Sequence, residues 1–171
     1  MTRSSAREIA IHCSYSLGFS HETADEFLEE RLNKENFQRW SQESTLYKEY
    51  PNEKQVQYIK ELVRGVANHG PELDQYIAQY AKNWSFARIP LPATAIMRVA
   101  MYEILYMPDI PAAAAINDAV EIAKKYEDEK VVAFINGILG AFVRAEFPEQ
   151  FQDKKTASAE AELVVEHKEE A

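Results

Sequence analysis

Apolar residues recur every three or four positions along most of the chain, which is the spacing that places them on one face of an α-helix. Ile9, Cys13 and Leu17 form such a stripe near the N-terminus. The periodicity predicts helices over seven ranges: Ser4–Leu17, Glu22–Phe37, Gln55–His69, Leu73–Trp84, Ala93–Met107, Ala112–Tyr126 and Val131–Phe147. The alternating pattern of a β-strand is missing, so we predict an all-α fold of about seven helices.

Breaks in this pattern suggest how the chain is divided. Gly70-Pro71 is typical of a helix end and separates the third and fourth predicted helices. The segment 93–107 is apolar nearly all round, so we expect it at the centre of the fold. Residues 149–171 are rich in Lys, Ala and Glu and poor in large apolar residues, which predicts a disordered acidic tail.

Composition and charge narrow the possible functions. The 171 residues are 46% hydrophobic, which is enough for a core, but the formal charge of −9 argues against broad nucleic-acid binding. Residues 149–171 carry −4 of this charge and the body carries −5, so any basic surface must be local. A polar N-terminus, the lack of a run of about 18 apolar residues and a single cysteine predict a cytoplasmic protein without a membrane span.

Reactive groups do not cluster along the sequence. The four histidines lie in separate segments, and Gly-rich phosphate-binding motifs are missing. Cys13 has no lysine or arginine beside it in the sequence, so a buried and inert thiol is expected. The acidic run 127–129 is best interpreted as a solvated turn. We therefore expect a non-enzymatic protein with no metal and no cofactor.

Polar residues that interrupt apolar helices predict a structural network. Arg98 and Glu103 lie in the central helix, and each needs a partner because a buried lone charge is costly. Arg88 and Asn117 are candidate partners. Asn117 and Asn136 stand among apolar neighbours, so we expect buried amides that bond to backbone groups.

Two cationic groups could contact an anion such as a phosphate. Arg3 and Arg7 are one helical turn apart in the first predicted helix, and arginine binds phosphate in a two-pronged geometry. A solvated first helical turn is the alternative. The second group comprises Lys124, Lys125 and Lys130, although a favourable interaction of Lys124 and Lys125 with the helix dipole would also explain that pair.

Several motifs in a fixed order resemble one family, the bacterial transcription antitermination factor NusB. They span essentially residues 3–147: Ala6-Arg7, Ser14-Tyr15-Ser16, ELVRGV at 61–66, Asn83-Trp84, Arg88, AIMRVAMYEI at 95–104, DIP at 109–111, AINDAVEIAK at 115–124 and FINGIL at 134–139. Two features depart from the family pattern. Ala133 stands where the family often has lysine, and family members tend to carry more N-terminal arginines.

The resemblance implies a fold of about seven helices in two packed helical subdomains, roughly 1–70 and 71–148, and a role in transcription. It implies binding to the boxA element of ribosomal-RNA transcripts, and a complex with NusE, a small-subunit ribosomal protein, within the RNA polymerase antitermination complex. Arg3 and Arg7 match the family's RNA-binding helix, and Tyr15 is a candidate stacking residue, with a core aromatic as the alternative.

Other functions and states remain open from the sequence. A helical protein-interaction module with weak or lost RNA binding is the main alternative. A domain similar to this family also precedes some RNA cytosine methyltransferases, but 171 residues leave no room for a Gly-rich cofactor-binding unit, so methyltransferase activity is not expected. A homodimer is possible. Because few cations are available, we expect that NusE raises RNA affinity at least about tenfold, or roughly 1.4 kcal/mol of coupling.

Overall fold

The structure is a computed structural model that describes residues 1–150. Within these residues the chain forms eight α-helices: α1 (Arg3–Leu17), α2 (Ala24–Arg31), α3 (Lys34–Trp40), α4 (Glu53–Asn68), α5 (Gly70–Tyr80), α6 (Leu91–Tyr106), α7 (Ala112–Tyr126) and α8 (Glu129–Glu146). Two single 3-10 turns, Thr45–Tyr47 and Phe86–Arg88, lie in the longer connections. The predicted all-α fold is confirmed.

The predicted helix over 22–37 is wrong, because the chain breaks into α2 and α3 at Leu32 and Asn33. The Asn33 side chain accepts a hydrogen bond from the backbone N–H of Asn36 at 3.0 Å and so caps the start of α3. Its amide also donates to the carbonyl oxygen of Glu30 at 2.7 Å, near the end of α2. Asparagine favours such caps over helix interiors because its side chain competes for backbone hydrogen bonds.

Gly70-Pro71 separates two helices as expected, but both residues belong to the second one. His69 follows the last residue of α4 and directly precedes α5. Pro71 lies in the first turn of α5, where its missing N–H has no intrahelical partner to lose. The predicted helix from Leu73 therefore begins three residues earlier, at Gly70.

Helix α6 lies at the centre of the fold, as its sequence predicts. It contacts α1, α4, α5, α7 and α8, and most of its side chains are buried. Helix α1 packs mainly along α4 and also touches α6. A close approach between α4 and α6 occurs at Gly65, where an added Cβ would lie 2.1 Å from the ring of Tyr102. Only glycine fits this position without a shift of Tyr102.

Two predictions about the ends of the chain and its division stay open. The tail predicted over 149–171 lies outside the described residues beyond Gln150. The division into subdomains near residue 70 also stays a prediction. None of the helices within residues 1–150 is both long and apolar enough to cross a lipid bilayer.

Candidate RNA interface

Arg7 lies inside the molecule, which corrects its predicted role as a surface contact for RNA. Arg7 is 1% exposed, and its guanidinium donates to both carboxylate oxygens of Glu103 at 2.5 and 2.9 Å. It also donates to Asp118, and the Tyr58 hydroxyl donates to Glu103 at 2.8 Å. Each nitrogen of the guanidinium thus donates to a carboxylate, and because the group is buried it cannot reach a phosphate in this conformation.

The groups around Arg7 keep its guanidinium protonated. Burial alone would lower the pKa of Arg7, but the hydrogen bonds and negative charge of Glu103, with Tyr58 and Asp118, raise it above its usual range. A buried arginine that bonds to two carboxylates forms a structural ion cluster, in which hydrogen bonds and opposite charge offset the cost of burial. Tyr58 and Asp118 are the members that the sequence did not reveal.

The predicted polar network is only partly correct. Glu103 has the expected partner, but it is Arg7 and not Arg98. Arg98 instead donates to Asp74 of α5 at 2.6 and 2.8 Å, in a half-buried pair. The two charges of α6 thus tie it to different helices.

The other three members predicted for this network lie on the surface. Arg88, Asn117 and Asn136 are all exposed, so the prediction of two buried amides is wrong. Ala115, Ala119 and Ile135 are the buried residues among their apolar neighbours, whereas the two asparagines occupy exposed positions of α7 and α8. Neither amide is needed to satisfy buried backbone groups.

Arg3 and Tyr15 remain on the surface of α1. Arg3 is exposed in the first turn, behind the cap formed by Thr2. Tyr15 is 38% exposed and meets the ring of Phe19 edge-on at 5.2 Å, and Phe19 is 64% exposed. Tyr15 is therefore a surface aromatic, and Phe19 extends this surface although the sequence did not single it out. Arg3 and Tyr15 are about 18 Å apart along the helix axis at 1.5 Å per residue.

The three predicted lysines are also exposed, but two of them have carboxylate partners. Lys124 bonds to Glu121 at 2.7 Å, and Lys125 bonds to Glu8 of α1 at 2.8 Å. Lys130 lies 5.7 Å from the ring centre of Trp84, which itself stacks on Phe134 at 4.5 Å. The Lys125–Glu8 pair places the end of α7 beside α1, so the structure brings these two predicted regions together.

Residues 4–144 match the model of the NusB family. Transcription antitermination protein NusB of Thermoanaerobacter sp. (strain X514) is 40% identical over 146 residues, covering 85% of this chain and 93% of that protein. NusB of Carboxydothermus hydrogenoformans is 39% identical over 140 residues, covering 82% and 91%. The chain belongs to the NusB family.

Solved NusB structures share the fold. T. maritima NusB superposes with a TM-score of 0.71 at 26% identity, covering 89% of this chain and 98% of that one. NusB in a crystal structure of the antitermination factors NusB and NusE with double-stranded RNA gives a TM-score of 0.66 at 25% identity, covering 84% and 96%. The resemblance found from the motifs is thus confirmed over nearly the whole described chain.

A chain of hydrogen bonds links α1 to the end of α7 in this NusB family member. The hydroxyl of Tyr126 donates to Glu8 at 2.6 Å, so its oxygen accepts from Nε2–H of His12 at 2.6 Å. Nδ1 of His12 then accepts from the hydroxyl of Tyr47 at 2.7 Å. This arrangement satisfies every group with a neutral imidazole.

Burial keeps this histidine neutral. Burial lowers the pKa of His12, and the charge of Lys125 acts in the same direction, against Glu8. Burial likewise raises the pKa of Tyr47 and of Tyr126, so both phenols keep their protons. Sequence reasoning missed this network because its members are up to 118 residues apart.

Proposed function

We propose that this chain is a transcription antitermination factor that binds boxA RNA of ribosomal-RNA transcripts together with NusE and supports processive transcription of rRNA operons. Membership of the NusB family over residues 4–144 carries the proposal. The solved complex of NusB and NusE with double-stranded RNA supports both the RNA and the protein partner. The same proposal makes the chain a binding protein and not an enzyme, located in the cytoplasm with RNA polymerase.

The RNA face that we propose combines cations with exposed aromatic rings. Its members are Arg3, Tyr15 and Phe19 of α1, Tyr126 at the end of α7, and the lysines Lys124, Lys125 and Lys130. Aromatic side chains stack on unpaired bases, and lysine and arginine neutralise phosphates. Arg7 is not included, because it is buried in the ion cluster with Glu103 and Asp118.

The electrostatics of this face favour joint binding with a protein partner. Four cations are available, and two of the lysines are already paired with carboxylates. The chain without its last 23 residues carries −5, and an acidic surface is complementary to a basic protein. We propose that NusE supplies the missing positive charge, and that the pair joins the RNA polymerase antitermination complex.

Titration of a fluorescent boxA RNA with the protein, with NusE and with both tests this function. We expect the pair to bind at least about tenfold more tightly than the chain alone, a coupling of roughly 1.4 kcal/mol. Arg3→Ala and Lys130→Ala should weaken RNA binding and leave NusE binding unchanged. Lys34→Ala, which removes one exposed charge on α3, is the control. Equal affinities with and without NusE, or equal affinities for boxA and a scrambled RNA, would reject the proposal.

One observation favours the alternative of a protein-interaction module with weak or lost RNA binding. The burial of Arg7 leaves Arg3 as the exposed member of the arginine pair predicted from the sequence. Suppose that the chain bound NusE, but that neither the chain alone nor its complex with NusE distinguished boxA from scrambled RNA. This second function would then be the correct one. Sedimentation of the chain with and without NusE would also show whether a homodimer competes with the complex.

A further inference from the structure

An open cavity of about 560 Å³ lies between α1, α2, the 3-10 turn Thr45–Tyr47 and the beginning of α6. We call it the α1 cavity. Five aromatic side chains line it: Tyr15, Phe27, Trp40, Tyr47 and Tyr126. Its volume lies in the range of roughly 300–1,000 Å³ that is typical of ligand pockets. The RNA face proposed above does not by itself assign a role to this space.

The aromatic walls of the α1 cavity are held in place. His12 bonds to the hydroxyls of both Tyr47 and Tyr126, and Glu8 holds Tyr126 from the other side. The rings of Trp40 and Tyr47 meet at 5.2 Å with an angle of 62°. A ligand that enters the cavity therefore does not have to order these rings, which lowers the entropic cost of binding.

The mouth of the α1 cavity is continuous with the proposed RNA face. Tyr15 and Tyr126 line the cavity and are also 38% and 45% exposed, so they stand at its entrance. Lys125 adjoins Tyr126 and bonds to Glu8 behind it. A phosphate neutralised by Lys125 would thus bring the neighbouring base to the entrance.

Two charged side chains give the α1 cavity hydrogen-bonding capacity beside its rings. The guanidinium of Arg31 lies over the ring of Phe27 at 4.5 Å, and its ion pair with Glu22 is long, at 3.9 Å. Glu43 also lines the cavity and is exposed. A flat ring with polar edges fits such a site, because its faces stack while its edges meet a donor and an acceptor.

We infer that the α1 cavity receives one unstacked base of the bound RNA. The inference rests on the proposed function, and it places one base at a defined position inside a cavity, beyond the phosphate contacts and surface stacking of the proposed RNA face. Sequence-specific RNA binding generally uses unpaired bases splayed onto aromatic side chains.

An abasic scan of boxA RNA tests this inference in the presence of NusE. Each nucleotide is replaced in turn by an abasic one, and affinity is measured for the wild type and for Ser16→Phe. Ser16 is half-buried and lines the α1 cavity, so a phenyl group there fills it from the side. Ala114→Phe, at an exposed position of α7, is the matched control, and thermal melting checks that each variant folds.

In the wild type we expect one abasic position to lower affinity about tenfold, which is roughly 1.4 kcal/mol. Ser16→Phe should lose this sensitivity and bind intact RNA about as weakly as the wild type binds the abasic RNA. Should Ser16→Phe fail to fold, Trp40→Leu removes one wall and should reduce the same sensitivity. If RNA binds but no abasic position lowers the affinity of the wild type more than that of these variants, the inference is rejected while the proposed function stands. If neither the wild type nor the variants bind RNA in the presence of NusE, the proposed function itself fails.

Cys13, the only cysteine of the chain, lines the α1 cavity and reports on its occupancy. Burial raises the pKa of the Cys13 thiol to about 12, so its modification by a disulfide reagent is slow even in the free protein. We expect boxA RNA with NusE to slow this modification further, and the RNA that is abasic at the sensitive position to have much less effect. Protection by NusE alone would show that a protein segment fills the cavity, and protection by free nucleoside monophosphates would show a mononucleotide site. Either result would overturn the inference of a transcript base.

Discussion

The guanidinium of Arg7 pairs with two carboxylates, that of the buried Glu103 on α6 and that of the partly exposed Asp118 on α7. Removal of one partner of a buried ion cluster leaves the others without compensation, and this costs far more than the loss of a surface pair. The two arginines that begin α1 thus have opposite roles. Arg7 stabilises the packing of α1, α6 and α7, whereas Arg3 is free to meet a ligand at the surface.

We expect Arg7→Ala to lower the free energy of unfolding by roughly 3–5 kcal/mol, because Glu103 and Asp118 would remain without their cation. Arg3→Ala should change it by less than about 0.5 kcal/mol, as is usual at an exposed position. Urea unfolding followed by circular dichroism measures both. Equal midpoints for the two variants would contradict the assignment of Arg7 to the interior.

The stability of the protein should also depend on the protonation of His12. Because the pKa of His12 is lowered in the folded state, the unfolded chain binds a proton more readily once the pH falls below about 6.5. The contribution of His12 is therefore complete above this pH and is lost as the pH falls towards the lowered value. Melting of the wild type and of His12→Gln between about pH 7.5 and 5.5 tests this. The difference in melting temperature between the two proteins should become smaller as the pH falls. A constant difference would argue against a contribution from neutral His12.

At the scale of the helices, the sequence predicted most elements and missed those that depend on capping. The apolar stripes identified α1, α4, α6, α7 and α8 because burial of one face dominates helix formation in proteins. The break at Asn33 was missed, because the pattern of apolar residues continues across it while a side-chain hydrogen bond ends the helix. The short 3-10 turn Thr45–Tyr47 has no such periodicity and could not be foreseen as an element.

The contact between α4 and α6 should make Gly65 intolerant of any side chain. We expect Gly65→Ala to destabilise the protein by about 1–3 kcal/mol, since its Cβ would overlap the ring of Tyr102. Gly137→Ala in α8 is the matched control. No described atom lies within 4 Å of its new Cβ, so it should stabilise the helix by about 0.5–1 kcal/mol.

Urea unfolding of both glycine variants and of Gly65→Ala with Tyr102→Ala separates these effects. The double variant should show a coupling of at least about 0.5 kcal/mol between the two positions, because the clash needs both side chains. Additive costs would indicate that Tyr102 moves aside freely.

At the scale of the whole molecule, the family could be identified from ordered motifs, but the arrangement of the site could not. Sequence spacing placed Arg3, Tyr15, Lys124, Lys125 and Lys130 near helix ends, and all five are exposed. It could not distinguish Arg7 from Arg3, because the carboxylates that bury Arg7 are 96 and 111 residues away. The His12 network and the α1 cavity were hidden for the same reason.

The four cations of the proposed RNA face predict a definite salt dependence of RNA binding. With four phosphate contacts, the logarithm of RNA affinity of the chain alone should fall with the logarithm of salt concentration with a slope of about −3, at roughly −0.7 per contact. Arg3→Ala should reduce the magnitude of this slope by about 0.7, and Lys34→Ala should leave the slope unchanged. Titrations at several salt concentrations measure this slope. A slope near zero would show that stacking alone holds the RNA.

The long separation within the Arg7 ion cluster also bears on the order in which the nascent protein can mature. A ribosome delivers α1 first, whereas Glu103 follows 96 residues later and Asp118 follows 111 residues later. Until then the guanidinium lacks both carboxylates, so an early contact of α1 with α4 would form without the ion cluster that joins α1 to α6 and α7. Final closure of the domain thus waits until α7 has been translated, and a polypeptide truncated before that point would expose apolar surface to proteases and chaperones.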